Sequence, residues 1–253
     1  MQSPLVNFTV IDETADLIVV NKPAGVLVHP TKPGGPVTLR DSLSELLAYE
    51  IANGGQVSII NRLDRETSGL TLIAKSAEAA RQCSIAMARR QIEKEYLAVV
   101  TGWPVANTFC VDAPLLRIGE VEASAIWLKR GVHPKGATAV TQFAVVDRWE
   151  HKILGRLALI RANPVTGRTH QIRVHLSHYG FPVLGDKIYG ADEQWYLYFV
   201  KHGWTPEIER ALFLRRHALH STALAIVYGE SQHQWRCELP SDMQSLLDAE
   251  RCA

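Results

Sequence analysis

The sequence predicts an α+β protein organised around a mixed, mostly antiparallel sheet. Three observations lead there. The chain has 253 residues, of which 47% are hydrophobic, enough to bury a sizeable core in one large domain or two small ones. Short apolar runs rich in Val, Ile and Leu recur along it, interspersed with segments of helical spacing. The two kinds of segment never settle into the regular strand-helix-strand beat of a doubly wound sheet, and no internal repeat or low-complexity tract interrupts them.

Taken in order, Leu17–Asn21 (LIVVN) is the first expected strand. The turn Lys22-Pro23-Ala24-Gly25 stops it, and extended chain is expected again over Val26–His29. Thr38 stands as an N-cap with Asp41 three residues on; Leu39, Leu43, Leu46 and Leu47 follow at helical spacing until Gly54-Gly55. Gly69–Ala74 (GLTLIA) reads as a strand. Ser76 caps a helix whose apolar stripe is Ala79, Ala80, Cys83, Ala86 and Met87. Lys94–Thr101 alternates as a strand, and the chain from Asp112 to Lys135 is polar and poor in strand signals. Strands are expected at Val140–Val146 and Arg156–Arg161. Gly167–Gly180 reads as a loop entering a helix, with Ile172, Leu176 and Tyr179 inward and Gly180 as its stop. The aromatic-rich last third closes with strands at Ala223–Val227 and Gln234–Glu238.

Composition narrows the function classes. The formal net charge is only +1, so any nucleic-acid contact has to come from a local basic face. Cys83, Cys110, Cys237 and Cys252 form no C-x-x-C pair, which argues against a zinc ribbon or a disulfide framework and for reduced thiols. Asp12, Glu13 and Asp16 interrupt the N-terminal region, which lacks a basic-then-apolar signal pattern. No apolar run approaches the roughly 18 residues of a membrane helix. A soluble, cytoplasmic protein is expected. His170, His175 and His178 do not suggest a metal site: on a helix His170 and His175 would stand about 140° apart, and no carboxylate or thiol cluster completes the set.

The most informative segment is Asn61-Arg62-Leu63-Asp64-Arg65-Glu66-Thr67-Ser68-Gly69-Leu70, a loop between Val57–Ile60 and the strand from Gly69. Asp64 lies between two arginines. Each nearby cation favours the ionised carboxylate, which suits a nucleophile or a base at neutral pH. The plainer alternative is an aspartate that closes a turn and pairs with surface charge, and the residues alone leave that open.

The segment closely resembles motif II of the RluA-type RNA pseudouridine synthases, H-R-L-D-x-x-T-S-G-L, with Arg62, Leu63, Asp64, Thr67, Ser68, Gly69 and Leu70 matching and Asn61 in place of His. Thr166-Gly167-Arg168-Thr169-His170-Gln171-Ile172-Arg173-Val174-His175 resembles the same family's T-G-R-x-H-Q-I-R-x-H block, and Lys94–Val100 its K-x-Y-x-A-x-V strand. Asn21-Lys22-Pro23-Ala24-Gly25, Gly185-Asp186-Lys187-Ile188-Tyr189-Gly190 and His217–His220 add minor marks in family order. Any one block is weak, but their joint occurrence is highly specific.

The resemblance implies the pseudouridine-synthase catalytic fold as a single domain over residues 1–253, with core motifs over about 15–190, a central active-site cleft and no cofactor. The reaction would break the bond from ribose to the base nitrogen, rotate the base and rejoin it through carbon. Asp64 would be the essential carboxylate, attacking the anomeric carbon or carbon 6 of the base, or deprotonating the ribose 2′ position. By the same resemblance Arg173 pairs with that carboxylate and Tyr96 packs on the target base. Ile172 forms an apolar wall or simply packs its helix. Arg62 has a planar guanidinium suited to the space a flipped base vacates. Arg168, with Arg81, Arg89, Arg90, Lys94, Lys187, Arg215 and Arg216, is expected to form a basic rim. Asn61 is expected to bear on RNA handling more than on bond chemistry. The pattern begins about 15 residues into the chain, so the S4-type module of many relatives is not expected before it. A loop of ribosomal or transfer RNA is the expected partner, and the protein is expected to be a monomer. Two rivals are a non-catalytic RNA-binding module on the same scaffold and a hydrolase pairing Asp64 with His170; the latter lacks a nucleophile-elbow or metal signature.

Overall fold

The structure is a computed structural model that describes residues 5–251. Cys252, one of the thiols read as reduced, lies outside them. The chain divides into two compact units. One comprises the residues up to Lys94 together with Ser221–Glu238; the other comprises Glu95–His220 and the segment from Leu239 onward.

In the first unit β1 (Thr9–Glu13) pairs antiparallel with β2 (Leu17–Lys22). Helices α1 (Leu39–Leu46) and α2 (Ala48–Ala52), the short β3 (Ser58–Ile59), β4 (Ser68–Ala74) and α3 (Ala77–Ala88) follow. β2 lies antiparallel to β4, with Leu17 opposite Ala74 and Lys22 opposite Gly69. β2 opens on the apolar run Leu17–Val20 and β4 is buried along its whole length, because both faces of the sheet are covered. Leu17, Val19, Leu70 and Leu72 pack with Ala79, Cys83 and Ala86 of α3, while Ile18, Val20 and Ile73 pack with Leu39, Leu43 and Leu47. α1 starts where the sequence says it should: Asp41 Oδ2 accepts the Thr38 N–H at 2.9 Å and Thr38 Oγ1 accepts the Asp41 N–H, a complete capping box.

The second unit takes up most of β5 (Glu93–Thr101), then β6 (Thr108–Asp112), β7 (Leu115–Arg117), β8 (Arg130–Val132), β9 (Val140–His151) and β10 (Gly155–Pro164). β10 lies between β5 and β9, and β6 pairs with the far side of β9, all antiparallel. Helices α4 (Gln171–His178), α5 (Gln194–His202) and α6 (Pro206–Leu212) come next. β11 (Leu219–Tyr228) carries the chain back into the first unit, where it lies beside β4 and pairs with β12 (Ser231–Arg236). α7 (Ser241–Arg251) returns to the second unit, anchored by Asp242, which pairs with Arg216 at 2.7 Å. Among the described residues no helix is long and apolar enough to cross a membrane.

Several local expectations need correction. Val26–His29 forms no strand; the carbonyls of Leu27 and Val28 instead accept the Leu39 and Arg40 N–H groups at the start of α1. Residues 112–135 include the antiparallel ribbon β7–β8, too short to show an alternating pattern. Leu46 at the end of α1 is 50% exposed, and Tyr179, the residue after α4, is 43% exposed, so neither faces the core as expected. Beyond residue 190 the chain forms the helices α5, α6 and α7. The Thr205-Pro206 start of α6, with Thr205 accepting the Ile208 N–H, was a legible N-terminal signal.

Candidate functional site

The Asp64 loop is fixed by its neighbours in the chain. Leu63 and Thr67 are buried, Asp64 is half-buried, and Arg62 and Arg65 are exposed, so the carboxylate sits on a turn anchored by Leu63 before it and Thr67 after it. The Thr67 N–H closes that turn on the Asp64 carbonyl at 3.2 Å. Lys22 holds the loop from behind. Its side chain is 0% exposed, and Nζ donates to the carbonyls of Pro23, Val26 and Arg65 at 2.8, 3.0 and 3.2 Å. The Gly25 N–H also donates to the Arg65 carbonyl at 2.9 Å, and Arg65 Nε returns a bond to the Gly25 carbonyl at 3.0 Å. A buried ammonium is tolerable only when its donors are used, and here they tie two loops together. Burial, with the charges of Arg40 and Arg62, holds His29 below its ordinary pKa.

Asn61 does not stand where RNA handling was expected of it. It is 5% exposed, donates from Nδ2 to the Leu70 carbonyl at 3.0 Å and accepts the Leu72 N–H on Oδ1 at 2.7 Å. Its side chain acts as a short strand partner for β4. Gly69 beyond it has φ +113°, and a Cβ there would stand 2.2 Å from the Ser221 carbonyl oxygen on β11. Only glycine lets these strands approach so closely.

In the second unit the Thr166–His175 block is knitted to the start of β9. Gln171 Oε1 accepts from the Thr166 hydroxyl at 2.7 Å and the Arg168 N–H at 2.9 Å, and its Nε2 donates to the Val140 carbonyl and Thr141 hydroxyl, both at 2.9 Å. His175 Nε2 donates to the Ala113 carbonyl at 3.0 Å, leaving Nδ1 to accept from the Thr141 hydroxyl at 2.9 Å. Burial lowers its pKa, so it is a neutral core histidine. His170 caps α4 in the left-handed conformation, φ 59°, with Nδ1 hydrogen-bonded to the Tyr189 hydroxyl at 2.7 Å.

Arg173 is buried on α4 and makes a bidentate pair with Asp186, Nε to Oδ2 at 2.6 Å and Nη2 to Oδ1 at 2.8 Å. Side-chain exposures of 5% and 0% make this a desolvated pair. Burial alone would raise the Asp186 pKa. The Arg173 charge and hydrogen bonds, the His217 charge and the Ile188 N–H together outweigh it and hold the carboxyl well below its usual range.

Of the residues singled out in the sequence, Arg62 and Asp64 belong to the first unit, while Tyr96, Arg168, Ile172 and Arg173 belong to the second. Tyr96 is buried on β5 opposite Ala162, Ile172 is buried on α4, and exposed Arg168 donates from Nε to the Thr138 carbonyl at 3.1 Å. Two members of the expected basic rim are interior. Lys187 is buried, donates to the Arg215 carbonyl at 2.6 Å and lies near the Phe199 and Trp204 rings; Arg216 is buried against Asp242. Arg89, Arg90, Arg168 and Arg215 are exposed. Burial pushes the Cys83 and Cys237 thiols up to about 11, which leaves them inert. Among the described residues no cluster of His, Cys, Asp or Glu could hold a metal ion. Sequence reasoning assigns no role to Lys22, Asp186 or Tyr189, although all three lie in the minor motif blocks.

The RNA pseudouridylate synthase family model matches residues 16–178. Ribosomal large subunit pseudouridine synthase D of Yersinia pestis is 34% identical over 252 residues, covering 95% of this chain and 70% of that protein. The protein of the same name from Escherichia coli K12 is 33% identical over 248 residues, covering 96% and 70%. Among solved structures, human RNA pseudouridylate synthase domain containing 4 matches with a TM-score of 0.74 at 26% identity, over 96% of this chain and 92% of that one. Human RNA pseudouridylate synthase domain containing 1 matches with a TM-score of 0.70 at 20% identity, over 100% and 98%, a likeness of fold. Motif order, α+β architecture and relatives all point the same way: the chain belongs to the RNA pseudouridylate synthase family and is an enzyme that converts uridine in RNA to pseudouridine.

Proposed function

We propose that this enzyme isomerises a uridine in a loop of ribosomal RNA, with Asp64 as the catalytic carboxylate, and that its two compact units work together as a single catalytic domain. The observation that carries the reading is the Asp64 turn, in which a half-buried carboxylate stands between exposed arginines on a loop clamped by buried Lys22. The relatives named for the large ribosomal subunit support ribosomal RNA as the substrate. In this reading Arg173 pairs with Asp64, Tyr96 packs on the base, Ile172 walls the pocket and Arg168 contacts phosphate. The target must leave its stack before the glycosidic bond is reachable, and Arg62 fills the gap. The enzyme acts as a monomer in the cytoplasm.

Single-turnover tritium release from RNA labelled at uridine carbon 5 tests the central claim. Asp64→Asn keeps the size and removes the charge, so release should stop while RNA still binds. Release at the wild-type rate would remove Asp64 from the mechanism. Arg62→Ala should slow flipping reported by 2-aminopurine beside the target, and Arg62→Lys should rescue poorly because an ammonium has no planar face.

A further inference from the structure

We propose that Asp186 is the positioning residue for Arg173: it fixes the plane and direction of the guanidinium, so that the remaining nitrogen, Nη1, is presented in one orientation for the reaction. The inference rests on the reading that Arg173 serves Asp64, and it concerns how Arg173 is held.

An arginine side chain is long and rotatable, and by itself it fixes neither the plane nor the edge of its guanidinium. Asp186 fixes both. Its two oxygens take the Nε–Nη2 edge at 2.6 and 2.8 Å, a fork-to-fork pair with one geometry. The anchor is itself immobilised. Asp186 Oδ1 also accepts the Ile188 and Tyr189 N–H groups at 3.0 and 3.1 Å. Gly185 before it has φ +75°, and a Cβ there would stand 2.2 Å from the Arg216 carbonyl oxygen, so the approach of this turn to the chain at Arg216 depends on glycine.

A second restraint acts on the face of the guanidinium. The Arg173 Cζ lies 4.9 Å from the Tyr189 ring centroid. That ring is held at its far end, where the hydroxyl accepts the Arg130 N–H at 2.9 Å and meets His170 Nδ1 at 2.7 Å. Asp186 therefore acts on Arg173 twice, through its carboxylate and through the turn that places Tyr189. It also neutralises a cation that would otherwise be costly to bury. Two of the three guanidinium nitrogens are committed to this scaffold, so the pair delivers a directed donor instead of a mobile charge.

The test uses the full-length enzyme in tritium-release assays. Asp186→Asn should lower kcat by about 100-fold, the scale of a small misplacement of a reacting group, with KM and RNA affinity changed by less than about threefold. A purely structural role of the turn would not depend on the guanidinium, so the same substitution is repeated in an Arg173→Lys background, where no fork exists to be oriented. There it should cost less than about threefold, the non-additivity of two residues acting as one unit. Wild-type kcat in Asp186→Asn, or an equal cost in both backgrounds, would overturn the proposal. If Asp186→Asn does not fold, Asp186→Glu, which keeps the charge but displaces the fork, is assayed in both backgrounds; a folded, RNA-binding variant whose kcat falls only beside Arg173 supports positioning, and wild-type kcat or an equal cost in both backgrounds overturns it. If Arg173→Met alone turns over normally, the Asp64–Arg173 reading falls; if Arg173→Met is impaired and Asp186→Asn is not, only this inference falls.

Discussion

Asn61 Oδ1 accepts the backbone N–H of Leu72 at 2.7 Å, which makes a loop side chain part of the hydrogen-bonding of β4. The same amide donates to the Leu70 carbonyl. Asn61→Ala leaves a buried donor and a buried acceptor without this partner, and should lower stability by about 1–3 kcal/mol. Urea denaturation measures it. RNA affinity of the folded variant should stay near wild type; a large loss of affinity with unchanged stability would return Asn61 to the RNA surface.

Lys22→Met should destabilise the first unit and loosen the Asp64 loop. The three carbonyls at Pro23, Val26 and Arg65 lose a charged donor, a loss of about 3 kcal/mol on the scale of hydrogen bonds to charged groups. Amide exchange at Gly25, whose N–H bonds the Arg65 carbonyl, should accelerate ahead of global unfolding. Unchanged exchange there would show that the clamp is dispensable.

Gly69 and Gly25 provide a paired comparison. Both have positive φ, +113° and +85°, but a Cβ at Gly69 meets the Ser221 backbone whereas one at Gly25 has nothing within 4 Å. Gly25→Ala should cost about 1–2 kcal/mol for the left-handed backbone alone. Gly69→Ala adds a clash between strands and should cost about 4 kcal/mol or more. Similar thermal midpoints for the two variants would contradict the close approach of β4 and β11.

Acid should destabilise the protein partly through Asp186. Its folded pKa is depressed, so the folded state holds the ionised form more tightly than the unfolded state does. That contribution is fully present above the unfolded carboxyl value of about 3.9 and is lost as pH falls toward the folded pKa. Asp242, also depressed by Arg216 against the effect of burial, acts in the same direction but is more exposed and better screened. Urea midpoints measured between about pH 2.5 and 6 should fall more steeply toward acid in wild type than in Asp186→Asn. Parallel curves would show that the carboxyl is not linked to folding.

Much of this protein is legible in its sequence because the relevant physics is local. The Thr38–Asp41 capping box, the Ser76 cap and the uninterrupted apolar run of β2 are set by residues within a few positions of one another, and the structure shows each of them. The arginines around Asp64 are likewise a local arrangement, and the order of the motif blocks identifies the family. Tertiary structure alone decides which groups meet. Asp186 lies 13 residues from Arg173, and Arg65 lies 43 residues from Lys22. Asn61 looks like a loop residue until β4 folds back beside it. Lys187 and Arg216 look like surface cations until aromatic rings and Asp242 enclose them. Hydrophobic periodicity reports how much of a residue is buried but does not name its partner, because a hydrogen bond or an ion pair is chosen by direction and distance in space, and both exist only once the chain has folded.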